Sequence, residues 1–275
     1  MWLNESMLWE ILWGVVLISV LVLSSGIAVD VFERLALQVK VNKLLLATLL
    51  ISFSTSLTEL SVGLASAFKG QPQIALGDII GANLANLSWI VGGAAVIAGT
   101  VPVVGEYLRR DLWVTMGMAM MPFLLMTDGN LSRYDGILLI VLYGLYVKWV
   151  WGGEGARENH EKINRRKVVN HHFKTYRDWL IQGMVLMTSL GAMSLSAKWL
   201  IDISLGLASG FGVNTFWVGL ILISFGTTLP ELVLSLAASR RGDVALLLGN
   251  VLGSVVVNST FIFGLIAVIS PVVFE

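Results

Sequence analysis

The feature that most limits how this chain can fold is a polar octet that ends in a carboxylate, sits inside an apolar run, and occurs twice. The first copy is Ser52–Glu59 (Ser-Phe-Ser-Thr-Ser-Leu-Thr-Glu) within the run 42–67. The second is Ser224–Glu231 (Ser-Phe-Gly-Thr-Thr-Leu-Pro-Glu) within the run 213–238. A charge at membrane depth costs roughly 2.5–3.5 kcal/mol on insertion scales, so such a glutamate turns toward a partner, an ion or water rather than lipid. Two of them in matching contexts predict one shared site.

The setting is that of a membrane protein. Of 275 residues, 56 % are hydrophobic and 13 % charged, with a mean hydropathy of +0.81. A soluble domain carries about 25 % charged residues. A net charge of zero without a long basic run argues against nucleic acid. There is no cysteine, hence no disulfide and no thiolate metal site. The first ten residues hold Glu5 and Glu10 but no Lys or Arg. That is not the basic start of a signal peptide, so the apolar run that follows is expected to be a retained helix.

Apolar runs of spanning length fall at 9–29, 42–67, 73–99, 112–127, 136–151, 179–201, 213–238 and 244–270. The expected fold class is therefore all-α, a polytopic membrane protein of about eight transmembrane helices. The fourth and fifth are the shortest. The long polar loop 152–178 carries seven cations: Arg157, Lys162, Arg165, Arg166, Lys167, Lys174 and Arg177. Threading eight spans collects these on one face with Arg34, Lys40, Lys43, Arg109, Arg110, Arg240 and Arg241, fourteen in all. The other face has Lys69, Arg133 and Lys198. The positive-inside rule predicts a cytoplasmic loop 152–178 and both termini outside.

Sliding the chain by 172 residues aligns Asp30 with Asp202, Asn42 with Asn214, Glu59 with Glu231, Gly77 with Gly249, Gly81 with Gly253, Asn86 with Asn258 and Gly92 with Gly264. Residues 51–64 match 223–236 at eight of fourteen positions without a gap. Chance apolar similarity would not keep polar and glycine positions in register. Five helices separate equivalent points, an odd number, so the second copy is expected to cross the membrane upside down, as in secondary transporters. The chain divides into a first copy of five helices (1–151), the loop 152–178, and a second copy of three helices (179–275) that is short by two.

Within each copy the polar side chains form a stripe. Ser52, Thr55, Ser56 and Glu59 recur at i, i+3, i+4 and i+7, as do Ser224, Thr227, Thr228 and Glu231. Carboxylates, hydroxyls and carbonyls are what a hard cation wants. Pro230 has no N–H for the carbonyl of Gly226, so the second helix is expected to open there. The following segments, Gly77-Asp-Ile-Ile-Gly-Ala-Asn-Leu-Ala-Asn86 and Gly249-Asn-Val-Leu-Gly-Ser-Val-Val-Val-Asn258, have glycines at the spacing that lets helices approach closely. Two glutamates supply about −2, enough to offset one Ca2+.

These paired blocks resemble the α-repeats of the calcium/cation antiporter superfamily, closest to prokaryotic sodium/calcium exchangers. The family pattern is G-T-S-x-P-E followed by G-N-x-x-G-S-N-x-x-N or D. The resemblance covers about 30–100 and 202–270. It implies Glu59 and Glu231 as central Ca2+ ligands. It makes Thr55, Ser56, Thr227, Thr228, Ser254, Asn86 and Asn258 the surrounding Na+ or Ca2+ ligands, with the carbonyls of Ser52 and Ser224. It also implies a prokaryotic plasma membrane, ten helices, and Na+/Ca2+ exchange by alternating access, the first and sixth helices sliding across a core of the others. No cofactor beyond the transported ions is expected.

The chain departs from the pattern in places. Ala82 replaces the motif serine and removes one hydroxyl ligand. Thr58 replaces the proline, so the first break is expected to be weaker than the second. Ser54 replaces glycine, Asp78 replaces asparagine, and Asn258 stands where some relatives have Asp. The two helices short of ten leave three readings: a partner subunit or homo-oligomer covering that face, a fragment, or different packing.

Plainer roles compete for several residues. A single Ser or Thr in a membrane helix usually bonds the carbonyl one turn back. Asp30 and Asp202 read as interfacial residues at helix ends, and Met116, Met118, Met120 and Met121 as adaptable packing. His171-His172 reads as a solvated pair. Nothing resembles an enzyme's nucleophile–base pair or a zinc motif. The expected activity is Ca2+/Na+ antiport. A proton-coupled Ca2+ antiporter is the nearest rival, and a transport-inactive membrane subunit is the rival of another class.

Overall fold

A computed structural model describes residues 5–38, 49, 51–98, 106–152, 176–240 and 244–273. Each of the eight expected apolar segments is mostly helical where it is described. Five are long and apolar enough to cross a bilayer: Trp9–Ala28, Pro72–Val96, Arg177–Gly210, Thr215–Arg240 and Leu247–Ile269. Leu57–Phe68 and Leu112–Asp128 are shorter apolar helices. The loop 153–175, with its His pair and six of the seven loop cations, and residues 39–48 lie outside the described residues.

The chain opens with α1 (Glu5–Gln38). Residues 51–55 are helical, Ser56 turns, and α2 follows (Leu57–Phe68). A hairpin at Gly70, in left-handed backbone with φ 66°, leads to α3 (Pro72–Ala85), with proline at the start where its missing N–H costs nothing. A π-helical turn, Asn86–Ile90, joins α3 to α4 (Val91–Ala98). Then come α5 (Glu106–Leu125) and α6 (Arg133–Gly152).

The second half begins with α7 (Tyr176–Phe211). Asn214 caps α8 (Thr215–Val218), its Oδ1 accepting the Phe216 N–H at 2.9 Å. A π turn, Gly219–Ile223, leads to α9 (Ser224–Thr227), and a turn at Thr228 to α10 (Leu229–Arg240). The last helix runs as α11 (Val244–Val256), a π turn (Val257–Ile262) and α12 (Phe263–Ile269). Strand β2 (Val272–Val273) then pairs antiparallel with β1 (Asn130–Leu131), which lies just before α6.

Two arrangements position the site. The α11–α12 helix is central: in the most apolar 18-residue stretch of Leu247–Ile269, 78 % of residues are buried, against 22 % in Arg177–Gly210 and 28 % in Trp9–Ala28. The peripheral helices α1 and α7 pack along each other. At 34 and 36 residues each is about 50 Å long at 1.5 Å per residue, well beyond the roughly 30 Å hydrocarbon core. Asp30 and Asp202 consequently lie inside long helices, not at their ends as expected. Asp202 forms an ion pair with Lys69 at the α2–α3 hairpin, and the Lys69 ammonium also donates to the Lys198 carbonyl at 3.0 Å. Lys69 and Lys198, expected on one face, are thus neighbours.

The three π turns have no counterpart in the sequence reading. Two of them hold Asn86 and Asn258, residues in register by the 172 shift. Large exposed side chains such as Trp13, Leu23, Trp113, Met187 and Ile221 form the apolar exterior a bilayer would cover.

Candidate cation site

Both copies leave the helix by the same turn. At Ser56 the backbone angles are φ −74°, ψ 5°, and at Thr228 they are φ −80°, ψ 0°. The first break is therefore no weaker for lacking proline. Side-chain hydroxyls occupy the carbonyls around each turn. Thr55 Oγ1 lies 3.1 Å from the Ser52 carbonyl, and Thr228 Oγ1 donates to the Ser224 carbonyl at 2.8 Å. The backbone N–H groups of Ser56 and Thr228 also reach those two carbonyls, each at 3.1 Å.

Thr58, where the family has proline, is the busiest hydroxyl. Its Oγ1 is 3.0 Å from the Thr55 carbonyl, 2.9 Å from the Thr227 carbonyl and 2.8 Å from Glu59 Oε2. A hydroxyl has one proton to give, so three acceptor oxygens crowd one donor. Thr58 links the two copies through the second copy's own turn.

Each copy's glycine-spaced helix crosses the other copy's broken helix. On one flank α3 runs so close to α8 and the following π turn that a Cβ on Gly77 would lie 2.1 Å from the Phe216 carbonyl oxygen, and one on Gly81 2.4 Å from that of Leu220. This brings Asp78 to Thr227, whose hydroxyl donates to Asp78 Oδ1 at 2.8 Å. On the other flank Ser52 Oγ donates to the Gly249 carbonyl at 3.1 Å. There α11 places Asn250 Oδ1 and Ser254 Oγ each 3.2 Å from Thr55 Oγ1. Thr55 and Thr227, and likewise Asp78 and Asn250, are 172 residues apart, so the two flanks are equivalent in register.

All eleven residues singled out from the sequence are buried: Ser52, Thr55, Ser56, Glu59, Asn86, Ser224, Thr227, Thr228, Glu231, Ser254 and Asn258, none more than 5 % exposed. Glu59 and Glu231 are wholly buried, and with Asp78 they lie near enough for their charges to interact. Glu59 Oε1, both carboxylate oxygens of Glu231, Ser56 Oγ, both amide atoms of Asn86 and Asn258 Oδ1 have no hydrogen-bond partner. Asn258 instead donates to Asn83 Oδ1 at 3.4 Å, and Asn83 to Ser259 Oγ at 2.8 Å. No hydrogen bond ties either motif asparagine to the glutamates.

Among the described residues no Lys, Arg or His is buried beside these carboxylates. Buried charge without a counter-charge is strongly unfavourable, so the site fits hard cations. Among the described residues no three acidic or histidine side chains close on a single metal position. Any ion here draws much of its coordination from hydroxyl, amide and carbonyl oxygens. Asp78, Asn250 and Thr58 complete the cluster. The sequence signal for the first two was their match across the 172 shift, and for Thr58 its replacement of a proline.

The fold is that of a polytopic helical membrane protein, and its candidate site is a buried cluster of oxygen-bearing side chains at two helix breaks. The chain belongs to the sodium/calcium exchanger protein family, whose model matches residues 9–152 and 182–275, so it sits among ion exchangers. It is 28 % identical over 232 residues to the inner membrane protein YrbG of Escherichia coli K12, covering 83 % of this chain and 70 % of that one. It is 26 % identical to the sodium/calcium exchanger MaX1 of Methanosarcina acetivorans, over 91 % of this chain and 80 % of the relative. Its fold is shared with the H+/Ca2+ exchanger CAX at a TM-score of 0.78 and 17 % identity, over 97 % of this chain and 71 % of that one. It is also shared with the sodium–calcium exchanger NCX_Mj at a TM-score of 0.61 and 22 % identity, over 97 % and 84 % of the two chains.

Proposed function

We propose that this protein is a secondary antiporter that moves Ca2+ across the membrane in exchange for Na+, with Glu59 and Glu231 as the central ion ligands. The observation that carries the reading is the state of those two carboxylates. Both are fully buried, three of their four oxygens have no hydrogen-bond partner within 3.5 Å, and the Thr58 hydroxyl on Glu59 also reaches the second copy's Thr227 carbonyl. A divalent ion offsets their two charges. Thr55, Ser56, Thr227, Thr228 and Ser254 would complete its shell and that of Na+. The carbonyls of Ser52 and Ser224, and Asn86 and Asn258, would join as local hydroxyls rotate.

The transport cycle follows from a site shared between halves. The peripheral α1–α7 pair slides along the core, exposing the glutamates first to one side and then to the other, and occupancy sets when it moves. In this reading the two copies, 1–151 and 179–275, are inverted, the loop 152–178 is cytoplasmic and both termini lie outside. The sodium/calcium exchanger MaX1 and the H+/Ca2+ exchanger CAX agree on calcium and differ on the driving ion.

The test is radiolabelled Ca2+ uptake into proteoliposomes, driven by a Na+ gradient alone and then by a pH gradient alone, for wild type and Glu231→Gln. Sodium-driven uptake that Glu231→Gln nearly abolishes is the expected result. Uptake under the pH gradient only would move the assignment to proton coupling. No uptake under either gradient, with no Ca2+-dependent thermal shift, would make the chain a membrane subunit without transport of its own.

A further inference from the structure

Two carbonyls in register by the 172 shift, those of Thr55 and Thr227, converge on one hydroxyl. Thr58 Oγ1 lies 3.0 Å from the first, 2.9 Å from the second and 2.8 Å from Glu59 Oε2. Thr58 and Glu59 are both fully buried, so the one hydroxyl proton goes to one of these three oxygens. The second copy has no such hydroxyl, because Pro230 holds the equivalent position. Across the second break the backbone bonds run from Thr228 N–H to the Ser224 carbonyl and from Leu232 N–H to the Thr228 carbonyl. The Thr227 carbonyl lies between them, and Thr58 reaches it from the other copy. The three acceptors are unequal. A carboxylate holds a hydroxyl proton about twice as strongly as a carbonyl does. While Glu59 is a bare anion, its Oε2 takes the proton and both carbonyls go without. A cation on Glu59 satisfies that charge and releases the proton to a carbonyl, of which that of Thr227 is the nearer.

Building on the antiport reading, we propose that Thr58 is a positioning residue whose single proton carries the ion occupancy of Glu59 to the helix break of the second copy. In the empty site the hydroxyl holds Glu59 Oε2. In the loaded site it turns to the Thr227 carbonyl and ties the two breaks together. Glu59 Oε1, which has no partner, is left to face the ion. The hydroxyl thus competes with the ion for Glu59, so removing it tightens ion binding. It also gives the loaded site a bond between the copies that the empty site lacks. A bond made in one state only biases the equilibrium between the two, so its loss slows the exchange step. A hydroxyl that merely packed between the helices would do neither.

The test is equilibrium binding of radiolabelled Ca2+ to the purified full chain in detergent without Na+, together with Ca2+ uptake into proteoliposomes, for wild type, Thr58→Val and Thr58→Ser. Thr58→Val is expected to bind Ca2+ about fivefold more tightly, the difference between a hydrogen bond to a charged group and one to a neutral group. Its maximal uptake rate is expected to fall. Thr58→Ser keeps the hydroxyl and is expected to lie near wild type in both. Thr58→Ala carries the same test should the valine variant not fold. Weaker binding by Thr58→Val overturns the proposal, since Oγ1 would then be a ligand of the ion. Unchanged binding overturns it as well. So does tighter binding with an undiminished maximal rate, because the bond to Thr227 would then transmit nothing. The antiport reading is judged on the wild type: Ca2+ binding without uptake under either gradient sinks that reading, while the binding comparison still decides Thr58. A wild type that binds no Ca2+ overturns both.

Discussion

Replacing Gly77 by alanine should separate the two helices that build the charged flank of the site. A Cβ at Gly77 would lie 2.1 Å from the Phe216 carbonyl oxygen and 2.7 Å from the Leu220 amide nitrogen, while ordinary contact begins at 3.4 Å. Both obstacles are backbone, so neither can swing aside. The helices must part by the difference, more than 1 Å, and the π turn at Gly219–Ile223 must follow. Overpacking of this kind costs about 1–3 kcal/mol. Gly144→Ala is the control, since nothing lies within 4 Å of its Cβ position, and alanine in a helix interior gains about 0.5–1 kcal/mol over glycine. Gly77 is a helix-interior position too and gains as much, so denaturant unfolding in a fixed detergent should place Gly77→Ala about 1–3 kcal/mol below Gly144→Ala. Equal stability of the two variants would refute the close crossing of α3 with α8, and with it the Thr227–Asp78 contact that depends on it.

Thr58→Val keeps the shape of the side chain but removes the hydroxyl that joins Glu59 to the Thr227 carbonyl. It should cost about 1 kcal/mol and lower Ca2+ uptake more than Thr58→Ser does. Equal uptake from the two variants would show that the bridging hydroxyl is idle. The Lys69–Asp202 pair joins the α2–α3 hairpin to the peripheral helix α7 across exposed surface. Lys69→Ala should destabilise by no more than about 1 kcal/mol while changing the uptake rate, with the exchanged pair (Lys69→Asp with Asp202→Lys) restoring it. A rate that Lys69→Ala leaves untouched would mean the pair does not bias the sliding of α7.

Much of the site was legible in the one-dimensional pattern. A carboxylate inside an apolar run must be compensated wherever the helix goes, so Glu59 and Glu231 announced themselves without coordinates. The i, i+3, i+4, i+7 spacing likewise put Thr55 and Thr227 on the same stripes. The turn at Ser56 was the misjudged element. Proline is one way to free a carbonyl, and Thr58 reaches the same bend through its side chain, a contact with the Thr227 carbonyl that no local rule contains. The extent of α7 was also misjudged, because the helix runs ten residues past the apolar stretch, to Phe211.

By itself the sequence determined the membrane class, the repeat at 172 residues and two of the buried acids, Glu59 and Glu231, because hydropathy, periodicity and charge are properties of consecutive residues. Only the tertiary structure decided that each copy's glycine-spaced helix crosses the other copy's break. That crossing makes Asp78 the neighbour of Thr227 and Asn250 the neighbour of Thr55, rather than of their own stripes. The partner of a side chain across a helix crossing depends on how closely two backbones approach. That distance, set here by Gly77, Gly81 and Gly219, exists only once the helices are packed.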